Sequence, residues 1–436
     1  MKNNRVVLID MKRSAFARGG KGMLVNTRLD KLSVHILQAL LEKNKQIKIE
    51  DISEFGLGQV LHADELLNMG SAQIAQLAGL PYEMNKFELN RQCGSSMDVI
   101  HRMTQAIMLD TYDVGIAMGV ERMQKNLHLF NAKTTPITSL NPELFRHHSE
   151  VQKTSGKRHN QYFSHPIPTY ILQAPALCTM TQTAQNVADW YEITREECDE
   201  FALNSHKKYK VAKEKGIYHD EIVPVEIAKP VFLEDGGIDY KNKNEIVIWD
   251  SDEGFRPTTT MESLKELNVL KGVQSYNKRP IVLTAGNCCP TNDGVSAALL
   301  TSLDYAKENA IEPLAEIIGI GCGGIKPQVM GVGPVIAIQK ALKHANLTME
   351  EIDYIEFNEA FASQVLATMK ELKYPLDKVN VNGGSLAIGH PLGATGVRLV
   401  GTLAKQLQRT GKRYGIAAQC IGAGMGIATV IKNPKV

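Results

Sequence analysis

The sequence is poor in aromatic residues and carries no excess of charge of either sign. Aromatic side chains make up 6% of its 436 residues, and 49 Lys and Arg residues are balanced by 47 Asp and Glu residues, for a formal net charge of +2. A nearly neutral chain has no overall electrostatic attraction to nucleic acid or to an anionic membrane. We therefore expect neither as a partner.

Long hydrophobic runs are also missing. No stretch approaches the roughly 18 uncharged apolar residues of a transmembrane helix, so no membrane span is expected. The first apolar run, Val6–Ile9, is shorter than the hydrophobic region of a secretion signal and suits a buried first strand. These absences predict a cytoplasmic protein.

Cysteine is present in a pattern that argues against a metal site. The seven cysteines are an odd number, and none has the Cys-x-x-Cys spacing of a zinc site, so we expect no metal and a reducing compartment. Most are expected to be buried, unreactive thiols. They are Cys93, Cys178, Cys198, Cys288, Cys289, Cys322 and Cys420.

The composition, 43% hydrophobic and 22% charged, is typical of a globular protein. The length predicts about two to four domains.

Strand and helix patterns alternate at both ends of the chain, which favours an α/β fold with largely parallel strands. In the first part, strands are predicted at Val6–Asp10, Ile52–Val60, Phe87–Asn90 and Val114–Gly119, and helices at Leu29–Glu42 and Gly94–Leu109. In the last part, strands are predicted at Leu314–Gly319, Ile352–Phe357, Val379–Val381 and Gly415–Gln419, and helices at Val335–Ala345, Phe361–Leu372 and Thr395–Arg409.

The two ends also resemble each other. The segment ALLEKNKQIKIEDISEFGLG pairs with ALKHANLTMEEIDYIEFN, and ELNRQCGSSM pairs with VNVNGGSLAI. Similar elements in the same order indicate two duplicated α/β halves, although α/β units also resemble one another by chance. The middle of the chain is polar and rich in turns, with helices predicted at Thr183–Tyr191 and Arg195–Lys213.

The stretch Asn126–Tyr170 has several prolines and little periodicity. A loop this long in a compact protein is usually functional or partly disordered, so we interpret it as an insertion lying over the core. Its histidines are irregularly spaced among basic residues, which favours a solvated loop over a metal site. They are His147, His148, His159 and His165.

Four short segments carry residues suited to chemistry. The first, NRQCGSSM, places Cys93 where a predicted strand turns into a helix. The positive end of a helix lowers the pKa of a thiol and favours the nucleophilic thiolate. Gly94 lets a substrate approach closely. A buried, inert cysteine explains the same residues nearly as well.

The second and third segments offer a polar pair and a histidine. In NEAFA, Asn358 and Glu359 could hold a water or a carbonyl group, and a helix cap is the alternative. In NGGSLAIGHPLGATG, five glycines surround His390. This segment fits neither the dinucleotide-binding pattern nor the P-loop, so we interpret it as backbone shaped to present His390 to a reactant. A structural histidine is the alternative.

The fourth segment, CIGAGMG, places Cys420 at another strand end, with glycine N–H groups available to an oxyanion. Two cysteines and one histidine on strand-end turns of duplicated halves predict covalent catalysis by a thiol. Serine chemistry has weaker support, because no G-x-S-x-G segment is present.

Together, seven segments in family order resemble the thiolase family through nearly the whole chain. They are NRQCGSSM, GVERM, TAGNCCPTNDG, MGVGP, NEAFA, NGGSLAIGHPLGATG and CIGAGMG. The chain looks most similar to the degradative 3-ketoacyl-CoA thiolases of fatty-acid β-oxidation. The resemblance implies an α/β fold in a five-layer αβαβα arrangement. Its two halves would be residues 1–122 with 291–306, and residues 307–436, while residues 123–290 would form a loop domain covering the active site.

The resemblance also implies roles for matching residues. Cys93 would be the nucleophile that becomes acylated, and His390 would activate it and later deprotonate the CoA thiol. Cys420 would be the second acid/base and would protonate the departing acetyl-CoA carbanion. Asn358 would hold a water that forms one oxyanion hole with His390. The N–H groups of Cys93 and Gly422 would form the other.

Coenzyme A is implied as a co-substrate, with no tightly bound cofactor. Arg256 and Ser263, in FRPTTTMES, match positions that contact the nucleotide part of CoA. A CoA-contacting serine of the family is Cys289 here. The family further implies a homodimer or homotetramer. In some degradative members it also implies association with a multifunctional hydratase/dehydrogenase subunit.

Three functions follow from these features. The leading hypothesis is CoA-dependent cleavage of 3-ketoacyl-CoA to acetyl-CoA and a shortened acyl-CoA through an acyl-cysteine. The alternative is an acetoacetyl-CoA thiolase acting in condensation, which the same residues serve. A non-catalytic acyl-CoA-binding protein is the distant alternative. It predicts loss of a catalytic residue, and none is missing.

Overall fold

The structure, a computed structural model, describes residues 4–62, 64–123, 160–174, 178–234, 238–239 and 245–436. Its strands are β1 (Val6–Arg13), β2 (Ala17–Arg18), β3 (Ile52–Gly58), β4 (Asn85–Leu89), β5 (Val114–Glu121), β6 (Val225–Ala228), β7 (Ile246–Trp249), β8 (Asn292–Ser302), β9 (Ala315–Gly324), β10 (Tyr354–Phe357), β11 (Tyr414–Ile421) and β12 (Met425–Lys432). Its α-helices are α1 (Leu29–Lys43), α2 (Gly70–Leu77), α3 (Ser95–Met108), α4 (Met180–Tyr191), α5 (Arg195–Glu214), α6 (Met261–Lys265), α7 (Leu303–Glu308), α8 (Gly333–Ala345), α9 (Ala362–Leu372), α10 (Ser385–Ile388) and α11 (Thr395–Thr410).

Most of the long predicted segment Asn126–Tyr170 lies outside the described residues, and so do His147, His148 and His159. Its last part is described and contains the short 3₁₀ turn Asn160–Tyr162. His165 is exposed there.

Within the described residues, ten strands form one large sheet. Its order is β10-β11-β12-β9-β1-β8-β5-β3-β4, with β2 paired to β8. Strands β4, β3 and β5 run parallel to one another, as do β10 and β11. The pairs between these two groups are antiparallel. The parallel groups therefore lie at the two ends of the sheet. The prediction of largely parallel strands is wrong, because most pairs of neighbouring strands are antiparallel.

The sheet repeats one strand plan. The first half runs β4, β3, β5, β8, β1, and the second runs β10, β11, β12, β9 with the same sequence of parallel and antiparallel pairs. The second half has no strand equivalent to β4 among the described residues. In that position only Val379 forms a parallel bridge, to Ile355 of β10. The predicted strand at Val379–Val381 is therefore wrong, since a single bridge stands in its place. The repeated plan follows the sequence pairing of the two ends.

The two halves of this sheet and three layers of helices together form five layers. Helices α3 and α11 share a buried cluster with β1, β5, β8, β11 and β12, so they lie between the two halves of the sheet. Helices α1 and α2 pack on the outer face of the first half. Helices α8 and α9 pack on the outer face of the second half. The helix–sheet–helix–sheet–helix order confirms the predicted αβαβα fold.

Two central strands, β8 and β12, were not predicted from the sequence. Every residue of β8 is buried, and most of β12 is buried as well. A strand covered on both faces lacks the alternation of apolar and polar residues that marks a half-buried strand. Small residues such as Gly294 and Ala297 weaken the apolar signal further.

The middle segment contributes α4, α5 and α6. Helix α4 packs on α9 and on the turn Pro327–Val332 of the second half. Arg13 of β1 is fully buried and pairs with Glu221 at 2.8 Å and with Asp252 at 2.7 Å, both from the middle segment. Removing one partner of such a buried pair is strongly destabilising, so these contacts fix the segment on the core.

Among the residues that the structure describes, no helix combines the length and the apolar character that a bilayer span requires.

Candidate active site

Cys93 lies in a tight turn between β4 and α3. The residue before it, Gln92, has φ of 48°, in the left-handed region. The next residue, Gly94, has no room for a side chain, because a Cβ there would lie 2.4 Å from Cδ1 of Ile421. The Cys93 carbonyl accepts a 2.8 Å hydrogen bond from Nε2 of Gln419 on β11. The turn thus presses the cysteine against the end of β11.

The Cys93 thiol is half-buried and faces two N–H donors. Burial raises its pKa to about 11, while hydrogen bonds from the backbone N–H groups of Gly422 and of Cys93 itself act in the opposite direction. The free thiol is therefore protonated at neutral pH. The two N–H groups predicted to form an oxyanion hole both point at the sulfur.

His390 is buried in the turn that precedes α11. Its backbone N–H donates to Oδ1 of Asn292 at 2.9 Å. Its Nδ1 lies 2.7 Å from Oγ1 of Thr395, which itself donates its only proton to the Pro391 carbonyl at 2.8 Å. The threonine oxygen must therefore accept from Nδ1–H. Nε2 consequently carries the lone pair.

This histidine is a neutral base in the resting protein. Burial, with a smaller effect from the positive charge of Arg398, lowers the pKa of His390 to about 3. At neutral pH its Nε2 is unprotonated and accepts a hydrogen bond. The side-chain amide of Asn358 donates to it, with Nδ2 lying 3.2 Å from Nε2.

Two polar residues of the NEAFA segment have different contacts: Asn358 faces His390, and Glu359 binds neighbouring loops. Asn358 is fully buried beside the imidazole. Glu359 instead accepts hydrogen bonds from Ser205 at 2.7 Å, Asn380 at 2.7 Å and the Leu386 N–H at 3.0 Å. Its carboxylate ties the middle segment to the loop that carries His390.

Cys420 is fully buried at the end of β11. Burial, together with the neighbouring thiols Cys93 and Cys289, raises the pKa of Cys420 well above its usual value. The tight turn that follows it, at Ala423 and Gly424, has two residues with positive φ, 67° and 82°. That turn brings the Gly422 N–H back to Cys93. The thiols of Cys93 and Cys289 lie near enough to Cys420 to act on its charge.

Two of the residues predicted to contact CoA lie around a surface cavity of about 440 Å³. Arg256 and Ser263 line it, as do Arg18 and His206. Arg256 is exposed. The Ser263 hydroxyl is already used in the cap of α6, where it donates to the Thr260 carbonyl at 2.9 Å.

The predicted CoA contact Cys289 has a different position from Arg256 and Ser263. Cys288 lines the cavity, whereas Cys289 lies deeper, where its pKa is raised by burial and by Cys288 and Cys93. The Cys289 N–H donates to the Ala360 carbonyl of the NEAFA segment at 3.0 Å. It therefore lies on the side of the Cys93 and Cys420 thiols.

Within the described residues, one carboxylate–imidazole–thiol group has its ligand atoms within 4.8 Å of one another: Asp98, His101 and Cys322. Arg91 lies on it, with Nη1 2.9 Å from Oδ1 of Asp98 and 3.3 Å from the Cys322 sulfur. The guanidinium already provides the positive charge that a metal ion would bring.

Several residues that shape the site were not singled out from the sequence. Thr395 fixes the imidazole, and Ser385 holds Asn358 with a 2.7 Å hydrogen bond. Glu121 accepts from the N–H groups of Val60, Leu61 and Gly393, and thereby braces the loop of His390. Thr395 and Ser385 lie within the glycine-rich segment. Their closeness to His390 in the sequence was the one signal that could have identified them.

Comparison with known proteins agrees with this architecture. The sequence-family model of the thiolase N-terminal domain matches residues 6–304, and that of the thiolase C-terminal domain matches residues 311–433. An acetyl-CoA acetyltransferase of Chromobacterium violaceum is 36% identical over 429 residues, covering 98% of this chain and 100% of that protein. A beta-ketoadipyl-CoA thiolase of Pseudomonas putida is 36% identical over 430 residues, covering 98% of this chain and 99% of that protein.

Solved structures are similar over almost the whole chain. Human mitochondrial 3-ketoacyl-CoA thiolase has a TM-score of 0.79 at 30% identity, covering 99% of this chain and 100% of that one. The dimeric peroxisomal thiolase of Saccharomyces cerevisiae has a TM-score of 0.79 at 31% identity, covering 99% and 98%. Fold and matches together define an acyltransferase. The chain belongs to the thiolase family.

Proposed function

We propose that this protein catalyses CoA-dependent cleavage of a 3-ketoacyl-CoA to acetyl-CoA and an acyl-CoA shortened by two carbons. The observation that carries the proposal is the proximity of the Cys93 and Cys420 thiols, with the Gly422 N–H pointing at the Cys93 sulfur. Two thiols suit two tasks, one as nucleophile and one as proton donor.

In the first step, the Cys93 sulfur attacks the C3 ketone of the substrate. Because the thiol pKa is about 11 and the His390 pKa about 3, full proton transfer before attack is unfavourable. The proton therefore moves to Nε2 of His390 as the carbon–sulfur bond forms. The resulting oxyanion is stabilised by N–H donors, each worth about 3–4 kcal/mol.

The C2–C3 bond then breaks and leaves an acyl group on Cys93 and the enolate of acetyl-CoA. The Cys420 thiol gives its proton to C2 and releases acetyl-CoA. Its strongly raised pKa keeps the proton in place until the carbanion forms. The proton held by His390 then passes to the Cys420 thiolate, which resets both groups. In the second half, His390 removes the proton of an incoming CoA thiol, which attacks the acyl-Cys93 thioester. As the acyl-CoA leaves, that proton returns from His390 to the Cys93 sulfur.

Two oxyanion holes divide this chemistry. The N–H groups of Cys93 and Gly422 form one, at the nucleophile. Asn358, through a bound water, and His390 form the other, at the acetyl-CoA thioester. The adenine nucleotide end of CoA lies in the cavity lined by Arg256 and Ser263, with Cys289 at the inner, reactive end.

Oxidative shortening of fatty acyl chains in the cytoplasm is the proposed setting. The human mitochondrial 3-ketoacyl-CoA thiolase, similar over 99% of the chain, supports this choice. A homodimer or homotetramer is proposed, since the similar yeast thiolase is dimeric. A hydratase/dehydrogenase subunit is a further proposed partner.

Condensation of two acetyl-CoA molecules is the second candidate. The 36% identity to an acetyl-CoA acetyltransferase favours it. The same residues serve both directions, because each step of the cleavage is reversible.

A series of 3-ketoacyl-CoA substrates of increasing acyl length tests the proposal. Loss of each substrate is followed with added CoA, and kcat/KM is compared across the series. Turnover that extends to long chains supports the degradative function, whereas turnover confined to acetoacetyl-CoA favours condensation. No turnover at any length, with folded protein, contradicts both.

A further inference from the structure

Behind the amide of Asn358 lies a row of buried polar groups that the proposed reaction does not use. The Ser385 hydroxyl lies 2.7 Å from Oδ1 of Asn358, while Nδ2 of the same amide lies 3.2 Å from Nε2 of His390. Asn358 and Ser385 are fully buried, and His390 is 3% exposed. The amide is therefore held at both of its ends.

The next group in the row is Arg398 of α11. Its Nη2 lies 3.0 Å from Oγ of Ser385, and its Nη1 pairs with Glu356 of β10. The guanidinium is fully buried and contains donors only. Because Arg398 donates to the serine oxygen, the single proton of Ser385 must go to Oδ1 of Asn358.

This direction of donation fixes the amide. With Oδ1 accepting from Ser385, the Nδ2–H donors of Asn358 face Nε2 of His390. A flipped amide would place its carbonyl oxygen against the lone pair on Nε2 and its NH₂ group against the serine proton. Both contacts would be repulsive, so the flipped state is excluded while Ser385 is present.

We propose that Ser385 is a positioning residue, which acts through Asn358 and is backed by the Arg398–Glu356 pair. The proposal rests on the proposed acyl transfer, because Asn358 serves the oxyanion through the proposed bound water. Arg398 also polarises the serine hydroxyl and, through it, the amide, since hydrogen bonds in a chain strengthen one another. Ser385 itself does not touch the substrate.

The experiment compares Ser385→Ala with Ser385→Thr in the full-length protein. Alanine frees the amide to turn, and misplacing a catalytic donor costs up to about 100-fold in rate. We expect kcat for a 3-ketoacyl-CoA to fall about 10- to 100-fold with the KM for CoA within about twofold of wild type. Threonine keeps the hydroxyl, and we expect it to restore most of kcat.

A matched control removes a similar hydrogen bond far from the site. Ser302 is buried at the opposite end of β8 from Asn292, and its hydroxyl donates to Asp113. Ser302→Ala is expected to lower the melting temperature without changing kcat. If Ser385→Ala lowers kcat only as much as Ser302→Ala does, the positioning role is wrong.

A double-mutant cycle separates positioning from general damage. If Ser385 acts only through Asn358, Asn358→Ala combined with Ser385→Ala loses no more kcat than Asn358→Ala alone. Multiplied losses in the double variant would overturn the proposal, and the cycle also covers the case in which Ser385→Thr folds poorly. If the wild type is active and Ser385→Ala has the same kcat, only this inference is contradicted. If the wild type is inactive, the proposed function is contradicted.

Discussion

The hydroxyl of Thr395 fixes the tautomer of His390. Its oxygen lies 2.7 Å from Nδ1, and its proton is donated to the Pro391 carbonyl. Nε2 is left as the basic nitrogen on the side of Asn358. A residue five positions after the histidine, in the first turn of α11, thus decides which nitrogen can act as base.

Replacing Thr395 tests this relationship. Thr395→Val keeps the shape but removes the acceptor, so the protonated nitrogen is no longer fixed. We expect kcat to fall about tenfold or more, whereas Thr395→Ser should stay near wild type. Steady-state kinetics of both variants check this, and equal activity in Thr395→Val would mean that the tautomer is held by other contacts.

The rate of Cys93 alkylation should depend on pH, because the thiol is protonated at neutral pH and only the thiolate reacts. Because the pKa of Cys93 is raised to about 11, its thiolate fraction grows about tenfold per pH unit between pH 7 and 10. Peptide mass spectrometry after brief treatment with iodoacetamide should show this slope. A rate that is already constant from pH 6 upward would indicate a preformed thiolate–imidazolium pair instead.

Cys420 has a separable task. The Cys420→Ala variant keeps the nucleophile and the Gly422 N–H, so we expect acetyl transfer from acetyl-CoA to Cys93 to continue. Exchange of the acetyl-CoA α-protons with deuterated solvent should fall about 100-fold or more, because the acid/base group is gone. Proton exchange at the wild-type rate would refute the role assigned to Cys420.

Acid lability should arise partly from a histidine outside the site. Burial, with a contribution from Arg91, lowers the pKa of His101 to about 3. In the unfolded chain it binds a proton near pH 6.5, so protonation favours unfolding as pH falls from 6.5 towards 3. This costs at most about 1.4 kcal/mol of unfolding free energy per pH unit.

Thermal unfolding at several pH values measures this effect. The melting temperature of the His101→Asn variant should fall less steeply between pH 6.5 and 4.5 than that of the wild type. His165→Asn is the control, since His165 is exposed. Parallel curves for wild type and His101→Asn would contradict the argument.

The alternation of strands and helices could be predicted from sequence, and so could the strands that carry the chemistry. Cys93 and Asn358 follow β4 and β10, and Cys420 lies at the end of β11, strands that the periodicity could locate. The meeting of these residues was implied only by the family resemblance, because β4 lies at the opposite end of the sheet from β10 and β11. The repeated plan was visible because both halves bury equivalent faces. The periodicity also gave Val379–Val381 as a strand, where the structure keeps one bridge.

The supporting contacts of the site could not be predicted in the same way. Ser385, Thr395 and Glu121 act through hydrogen bonds whose direction depends on neighbours far away in sequence, such as Arg398 and Gly393. No periodicity records such directions. Strands β8 and β12, buried except at the two ends of β12, were missed because they lack alternation of polar and apolar residues.

The central claim, that Cys93 carries the acyl group, is tested most directly by intact-protein mass spectrometry. The protein is mixed with acetoacetyl-CoA in the absence of free CoA and quenched in acid. The account predicts that wild type gains the mass of one acetyl group, that the Cys93→Ala variant gains none, and that added CoA removes it. An unmodified wild type, or an adduct that persists in Cys93→Ala, would contradict it.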